Sequence, residues 1–444
     1  MNMTGVWSAI INSQFVRIFI IVFLIIILQI PSLMIRGLVQ ERQGVRNEAV
    51  ADIRGKWGQA QTILGPRLLI PYTKQVREGN RVRAVTYYAT VLPENLQIQS
   101  NLETEVRYRG IFEVPVYRTQ TTIKGEFMRP DLSRWGIAPG DIRWGQSELS
   151  VAISDARAIQ NQAVLRWQGK SFPFAPGTGQ FQPTPGTGIH SNVGSGMTGN
   201  RFNFAIDLRL HGSERFSVAP FGQMTKITMA GNWPNPSFQG LWLPTQRQVT
   251  ADTFQATWEI PALGRNFPQQ WTSEQPMAEE VVAQSAVGVD LLSPVDQYRM
   301  AERSLKYNFL FLLLTFAAFW LFEVTLGLRV HPLQYLLVGV AMCLFYLLQL
   351  AFSEHLGFPV AYGLASVAVA VLVAFYAVSV LRANRRGLVI GLMQVGLYGY
   401  LYVVLVNQDY ALLIGSLGLF VFLAVVMYCT RRIDWFNMGR SSPS

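Results

Sequence analysis

One apolar segment stands alone near the start of this chain, and five more crowd its final third. The six are Phe15–Ile35, Tyr307–Leu328, Leu333–Phe352, Phe358–Leu381, Gly387–Val406 and Tyr410–Thr430. Each holds about 20 residues, enough helix to cross a hydrocarbon core of roughly 30 Å. In lipid a segment must satisfy its backbone polar groups internally, so these segments read as helices. Composition agrees. Of 444 residues, 50% are hydrophobic and only 14% charged, where a soluble protein has about a quarter charged. Ile18–Leu28 would also suit the apolar region of a signal peptide. No A-x-A-like site follows Pro31-Ser32, so the first span reads as an uncleaved signal anchor.

Between the first two spans, Arg36 to Leu305 changes texture. Charges are frequent, with 28 Lys/Arg against 23 Asp/Glu, and Gly and Pro punctuate the sequence. This is the composition of a water-soluble domain with its own core. The expected organisation is 1–35 as terminus and first span, 36–292 as a β-rich domain, 293–430 as a linking helix and five-helix bundle, and 431–444 as a tail. Ser293-Pro294-Val295-Asp296 is a helix-start signal, with Ser293 as N-cap, Pro294 at N1 and Asp296 at N3. A helix from there is expected to run unbroken to Leu328.

The short loops set the topology. Arg329, Arg382, Arg385, Arg386, Arg431, Arg432 and Arg440 fall in alternate loops and the tail, while 353–357 and 407–409 hold no Lys or Arg. Seven against zero is a positive-inside signal. It places both termini in the cytoplasm and 36–305 outside. Arg299, Arg303 and Lys306 break the rule locally, but charges on a long translocated domain carry little topological weight.

The inserted domain reads as β. Arg201–Leu210 alternates apolar and polar at every residue, the mark of a half-buried strand. His211-Gly212-Ser213-Glu214 supplies a turn, with Arg215–Val218 as the returning partner. Glu148–Ser154 and Thr253–Ile260 also alternate. Val82–Leu92, Glu103–Val116 and Thr119–Phe127 are rich in Val, Tyr, Thr and Ile. Together they imply a twisted, mainly antiparallel sheet or sandwich. Eight of the eleven tryptophans lie here, and core packing is their ordinary use. Phe172–Asn200 is rich in Gly, Pro and Ser and reads as a long flexible loop. It contains a formal GxGxxG at Gly194, Gly196 and Gly199. A dinucleotide site needs a strand before and a helix after that motif, and here a strand follows.

Chemistry-bearing motifs are few. Two cysteines, Cys343 and Cys429, sit at different depths in the bundle and read as small packing residues. The four histidines form no HExxH or HxxxH arrangement. There is no GxSxG, SxxK, kinase or Walker signature, and no catalytic residue, cofactor or metal ligand is assigned. Positive charge is dispersed rather than gathered on one groove motif, so nucleic acid is not an expected partner. What remains is a membrane-edge polar set: Glu323, Arg329, His331, Glu354 and His355. An intramembrane acid is costly unless paired or functional. The set therefore reads either as structural anchoring, with Glu323 pairing Arg329 or His331 and Glu354-His355 sitting in water on the outer side, or as part of a proton or substrate path.

Several stretches resemble the CreD family of bacterial inner-membrane proteins. They are 64–71 (LGPRLLIP), 153–157 (ISDAR), 232–238 (NWPNPSF) and 296–298 (DQY). In the bundle they are 331–339 (HPLQYLLVG), 345–348 (FYLL), 353–355 (SEH) with Gly357-Phe358, and 433–435 (IDW). The resemblance covers nearly the whole chain except 172–200 and the tail after Phe436. It implies a Gram-negative inner-membrane protein with a periplasmic β domain. It also implies roles in envelope maintenance, tolerance to an E-type colicin, and a two-component system linked to β-lactam response. It implies no known reaction.

The resulting expectation is an α+β membrane protein with six transmembrane helices, one N-terminal and five C-terminal. A large, mainly antiparallel β periplasmic domain is inserted between helices 1 and 2. Its partners are the lipid bilayer and an envelope protein, lipid or glycan. A transporter or lipid-handling protein using Glu323, His331, Glu354 and His355 is the alternative.

Overall fold

The computed structural model describes residues 14–78, 81–179, 187–291, 297–326, 330–407 and 409–431. Internal contacts divide the chain into two units, Glu48–Pro294 and Met1–Asn47 with Val295–Ser444. Helix α1 (Gln14–Ile27) is followed after a turn at Leu28 by α2 (Gln29–Trp57). The apolar run expected to close the first span at Ile35 does not close the helix, which continues to Trp57 through a polar sequence. Helix-forming residues such as Glu48, Ala49 and Ala51 carry it on.

The unit Glu48–Pro294 is built on two sheets. The nine-stranded sheet runs Pro236–Gln239, Val287–Leu291, Arg215–Val218, Gln61–Glu78, Glu148–Ile153, Gly188–Asn192 and Ala175–Pro176. Arg81–Val91 pairs with Gln61–Glu78, and Gln270–Thr272 adds to Arg81–Val91. The eight-stranded sheet runs Gln246–Val249, Phe254–Pro261, Met224–Gly231, Asn95–Arg109, Phe112–Met128, Arg201–Ser213, Val164–Trp167 and Lys170–Pro173. Most pairings are antiparallel. Gln61–Ile63 with Phe216–Val218, and Asn95–Leu102 with Met224–Gly231, are parallel. One apolar core, including Ile63, Ile153 and Phe216 from one sheet and Ile98, Ile123 and Trp258 from the other, is shared between them. A short helix, α3 (Glu279–Gln284), precedes the strand at Val287.

The alternation read from Arg201 onward is realised. Phe202, Phe204, Ile206, Leu208 and Leu210 are buried, and Arg201, Asn203, Asp207 and Arg209 are exposed. The expected hairpin after it is not formed. The strand continues to Ser213, and Glu214 takes a left-handed conformation at φ 61°. The chain thereby leaves one sheet for the other, and Arg215–Val218 pairs with Gln61–Ile63 and Val287–Asp290. Phe216 and Val218 gain full burial in this way. Glu103–Val116 also conceals a turn. Gly110, at φ 61°, and Ile111 join two long strands whose register closes at Arg109 and Phe112.

Glu148–Ile153 is buried on both faces rather than one. Part of the expected flexible loop is ordered. Its Gly188–Asn192 strand pairs with Glu148–Ala152. Residues 180–186 lie outside the described residues. Two of the GxGxxG glycines serve packing: a Cβ on Gly194 would overlap the Gly145 carbonyl, and one on Gly196 would lie 2.6 Å from Trp167, whereas Gly199 serves a left-handed backbone at φ 105°. All eight tryptophans of this unit lie in the core or against it.

The other unit continues with α4 (Gln297–Lys306), α5 (Asn308–Leu326), α6 (Pro332–Leu356), α7 (Phe358–Leu381), α8 (Asn384–Val406) and α9 (Ala411–Thr430). Among the described residues, six helices are long and apolar enough to span a membrane, one near the N-terminus and five in the C-terminal region. The long helix expected from Ser293 is interrupted at Tyr307. There the Tyr307 amide donates to the Ser304 carbonyl, three residues back, at 3.1 Å. Such a bond tightens the turn relative to an α-helix. Ser293, Pro294, Asp296 and Leu328 lie outside the described residues.

Candidate functional site: two arginine-held carboxylates and a hydroxyl-lined cleft

Glu323 sits on α5, is 3% exposed, and has both carboxylate oxygens occupied. Arg17 of α1 donates to Oε1, as does the Val330 amide at 3.3 Å. The Tyr335 hydroxyl of α6 donates to Oε2 at 3.1 Å. Glu354, near the other end of α6, is held in the same way. Arg42 of α2 grips it through Nε at 2.7 Å and a terminal nitrogen at 3.0 Å. The Tyr298 hydroxyl of α4 donates to Oε1 at 2.9 Å. The paired planar contact is the strong form of the arginine–carboxylate interaction. Burial first, then the Glu354 carboxylate, pushes the Tyr298 phenol up to about 12, so it remains a proton donor.

The two arrangements share a logic. Each carboxylate is contributed by the C-terminal bundle and receives an arginine from the N-terminal helices and a tyrosine hydroxyl. Arg17 and Arg42 are 25 positions apart, or about 37 Å of helix rise. Tyr335 and Glu354 are 19 positions apart on α6, or about 29 Å, close to one hydrocarbon thickness. The first span is therefore pinned at two levels. Between them it packs closely on α6, where a Cβ on Gly339 would lie 2.2 Å from Leu28.

The structure separates the other members of the sequence-derived set. His331 is the N-cap of α6. Its Nδ1 accepts from the Leu333 amide at 3.2 Å, and the Gln334 side chain accepts from the His331 amide at 2.9 Å. His331 thus has a capping task. His355 is exposed in the last turn of α6, where a basic group suits the helix dipole. Arg329 lies outside the described residues. Sequence reasoning missed Arg17, Arg42, Tyr298 and Tyr335. One signal was available: a lone arginine in the first apolar run and a lone acid in the second are both costly in lipid unless paired.

The unit Glu48–Pro294 has its own concavity, of about 580 Å³. Its lining includes Thr62, Ala152, Ser217 and Gly288 on neighbouring strands and Ser154 just after one of them. The hydroxyls are already linked, Thr62 Oγ1 to Ser217 Oγ at 2.9 Å and Ser154 Oγ to the Thr62 amide at 2.9 Å. Arg215 stands at the rim. Its fork to Asp290, at 2.5 and 2.9 Å, holds the guanidinium above its ordinary range. The two histidines of this unit are placed elsewhere. His190 Nδ1 contacts the Gly177 carbonyl at 2.9 Å, and His211 stacks on Trp57 with ring centroids 3.9 Å apart. The cleft therefore offers hydrogen bonding and small-residue relief.

Compared with known families, residues 13–436 match the model described as inner membrane protein CreD. This chain belongs to the CreD family. It is 34% identical over 418 residues to "Inner membrane protein CreD" of Escherichia coli (strain K12), covering 93% of this chain and 91% of that protein. As a CreD-family member with six apolar helices, it is a multi-pass inner-membrane protein. Two stretches that carried the resemblance, 296–298 and 353–355, contain Tyr298 and Glu354, which meet in one clamp.

Proposed function

We propose that this CreD-family protein supports cell-envelope integrity without catalysing a reaction, by engaging an envelope protein, lipid or glycan through its β unit on the periplasmic side. The observation that carries this reading is the cleft around Thr62, Ser154 and Ser217. It is of ligand size and is lined by hydroxyl and amide side chains, with Arg215 and Glu279 as its charged members. Colicin tolerance and a link to the β-lactam response belong to the same reading, through the family. His331 is committed to a helix cap, and each of Glu323 and Glu354 to its own arginine. These commitments favour structural anchoring over a substrate path.

A photo-crosslinking residue at Gln239, on the cleft, should capture a defined envelope component in living cells, and one at the exposed Asp252 should not. Equal capture at both sites would refute the role of the cleft. The proposed topology has its own test. With native cysteines replaced, Asp252→Cys should react with a membrane-impermeant thiol reagent once the outer membrane admits it. Asn384→Cys should react only after the inner membrane is opened. The reverse pattern would overturn the orientation.

A further inference from the structure

Polar side chains continue between the two clamps, inside the membrane unit. Ser304, Asn308 and Thr315 fall on one side of α4 and α5, at spacings of four and seven. Ser32 comes from α2, Gln349 from α6, and Gln394 and Tyr398 from α8. All are buried, and Gln349 and Gln394 are fully so. Each amide spends one end on a protein partner. Ser304 Oγ donates to Gln349 Oε1 at 3.0 Å. Asn308 Nδ2 donates to Ser32 Oγ at 2.5 Å. Gln394 Nε2 donates to Thr315 Oγ1 at 3.0 Å.

Among the described residues, the other end of each amide has no protein partner: Gln349 Nε2, Asn308 Oδ1 and Gln394 Oε1. The Tyr398 hydroxyl has none either. Turning an amide over exchanges which atom is unpaired but does not remove the deficit. A polar atom left unpaired in an apolar interior loses its hydration with nothing in return. Four such atoms on three helices would be a heavy penalty in a bundle otherwise packed with Phe, Leu and Val. Tyr398 also packs on Phe345 of α6, and Gln394 Nε2 lies 3.7 Å from Met342 Sδ. The α8 members thus face α6 directly.

We propose that this seam between α5, α6 and α8 is a binding site for water, or for a neutral hydrogen-bonding molecule of similar size. The chemistry selects neutrality. The side chains named here are amides and hydroxyls, with the Cys343 thiol 3.7 Å from Ser32 Oγ, and none of them carries a charge; both Glu354 oxygens are taken by Arg42 and Tyr298. An ordered water makes about three hydrogen bonds, and amide and phenol groups can supply both donors and acceptors. The seam would give the bundle a hydrated interior at a depth where its outer surface meets lipid.

Radiolytic hydroxyl footprinting of the full-length protein in lipid nanodiscs tests this, because bound water generates radicals where it sits. Met342 and Tyr398 are 1% and 2% exposed, so bulk solvent does not reach them. They are expected to oxidise at doses that modify the exposed Met224, and Gln394→Leu should lower their oxidation several-fold with Met224 unchanged. Protection of Met342 and Tyr398 in the wild-type protein at those doses would overturn the proposal, whatever the variant does. Oxidation unaltered in a folded Gln394→Leu protein would also overturn it.

Discussion

Glu323→Leu should destabilise the bundle by about 2–3 kcal/mol, read as a lower midpoint of denaturant unfolding in detergent. Removing one partner of a buried ion pair costs about 3–5 kcal/mol, because the remaining charge loses its compensation. Arg17 is 21% exposed and can relax toward water, which places the cost at or below the lower end of that range. The Tyr335 hydroxyl and Val330 amide also lose their acceptor. Glu323→Gln should cost only about 1 kcal/mol, since the amide oxygen can still accept a hydrogen bond. The decisive variant is the pair. Arg17→Met with Glu323→Leu should recover more than half of the loss, because no charge remains unpaired. A double variant as unstable as the single one would refute the clamp. Loss of envelope function in a stable Glu323→Gln protein would instead show that the carboxylate must titrate, and would promote the transport reading.

Trp167→Ala should cost the β unit about 3–5 kcal/mol, the range for truncating a fully buried large aromatic. Trp167 is 0% exposed. It stacks on Phe202 at 5.5 Å, packs against Phe127 at 6.0 Å, and donates through Nε1 to the Gly196 carbonyl at 3.2 Å. The backbone at Gly196 approaches so closely that a Cβ there would overlap the indole. Neither neighbour can collapse readily into the space left. Trp167→Phe should cost less, keeping much of the stack and losing the hydrogen bond. Limited proteolysis of the full-length protein across a urea series checks both, through the urea concentration at which the β unit becomes cleavable. Wild-type resistance in the alanine variant would sink the prediction.

Local periodicity carried most of what could be read in advance. An apolar run of about 20 residues has few physical options in a membrane protein, so the six helices were legible. The strict alternation from Arg201 was equally binding, because a slip of one residue would expose five apolar side chains. The fate of Arg215–Val218 was not legible. A four-residue strand has no preference for its chain neighbour once a strand distant in sequence buries Phe216 and Val218 better. The double burial of Glu148–Ile153 was likewise decided by what was laid on its second face.

The polar set shows the same division. The sequence marked Glu323 as a costly group and offered Arg329 or His331 because they were close along the chain, and it left Glu354 with His355 in water at the membrane edge. The structure gives Glu323 an arginine 306 positions away and Glu354 one 312 positions away. The expense of a buried carboxylate is a property of the residue and its hydropathic surroundings, so the sequence alone determined that partners were needed. Which arginine meets which glutamate depends on how the N-terminal helices lie against α5 and α6. Only the tertiary structure could decide that, because helix packing brings together groups whose separation along the chain carries no information about their separation in space.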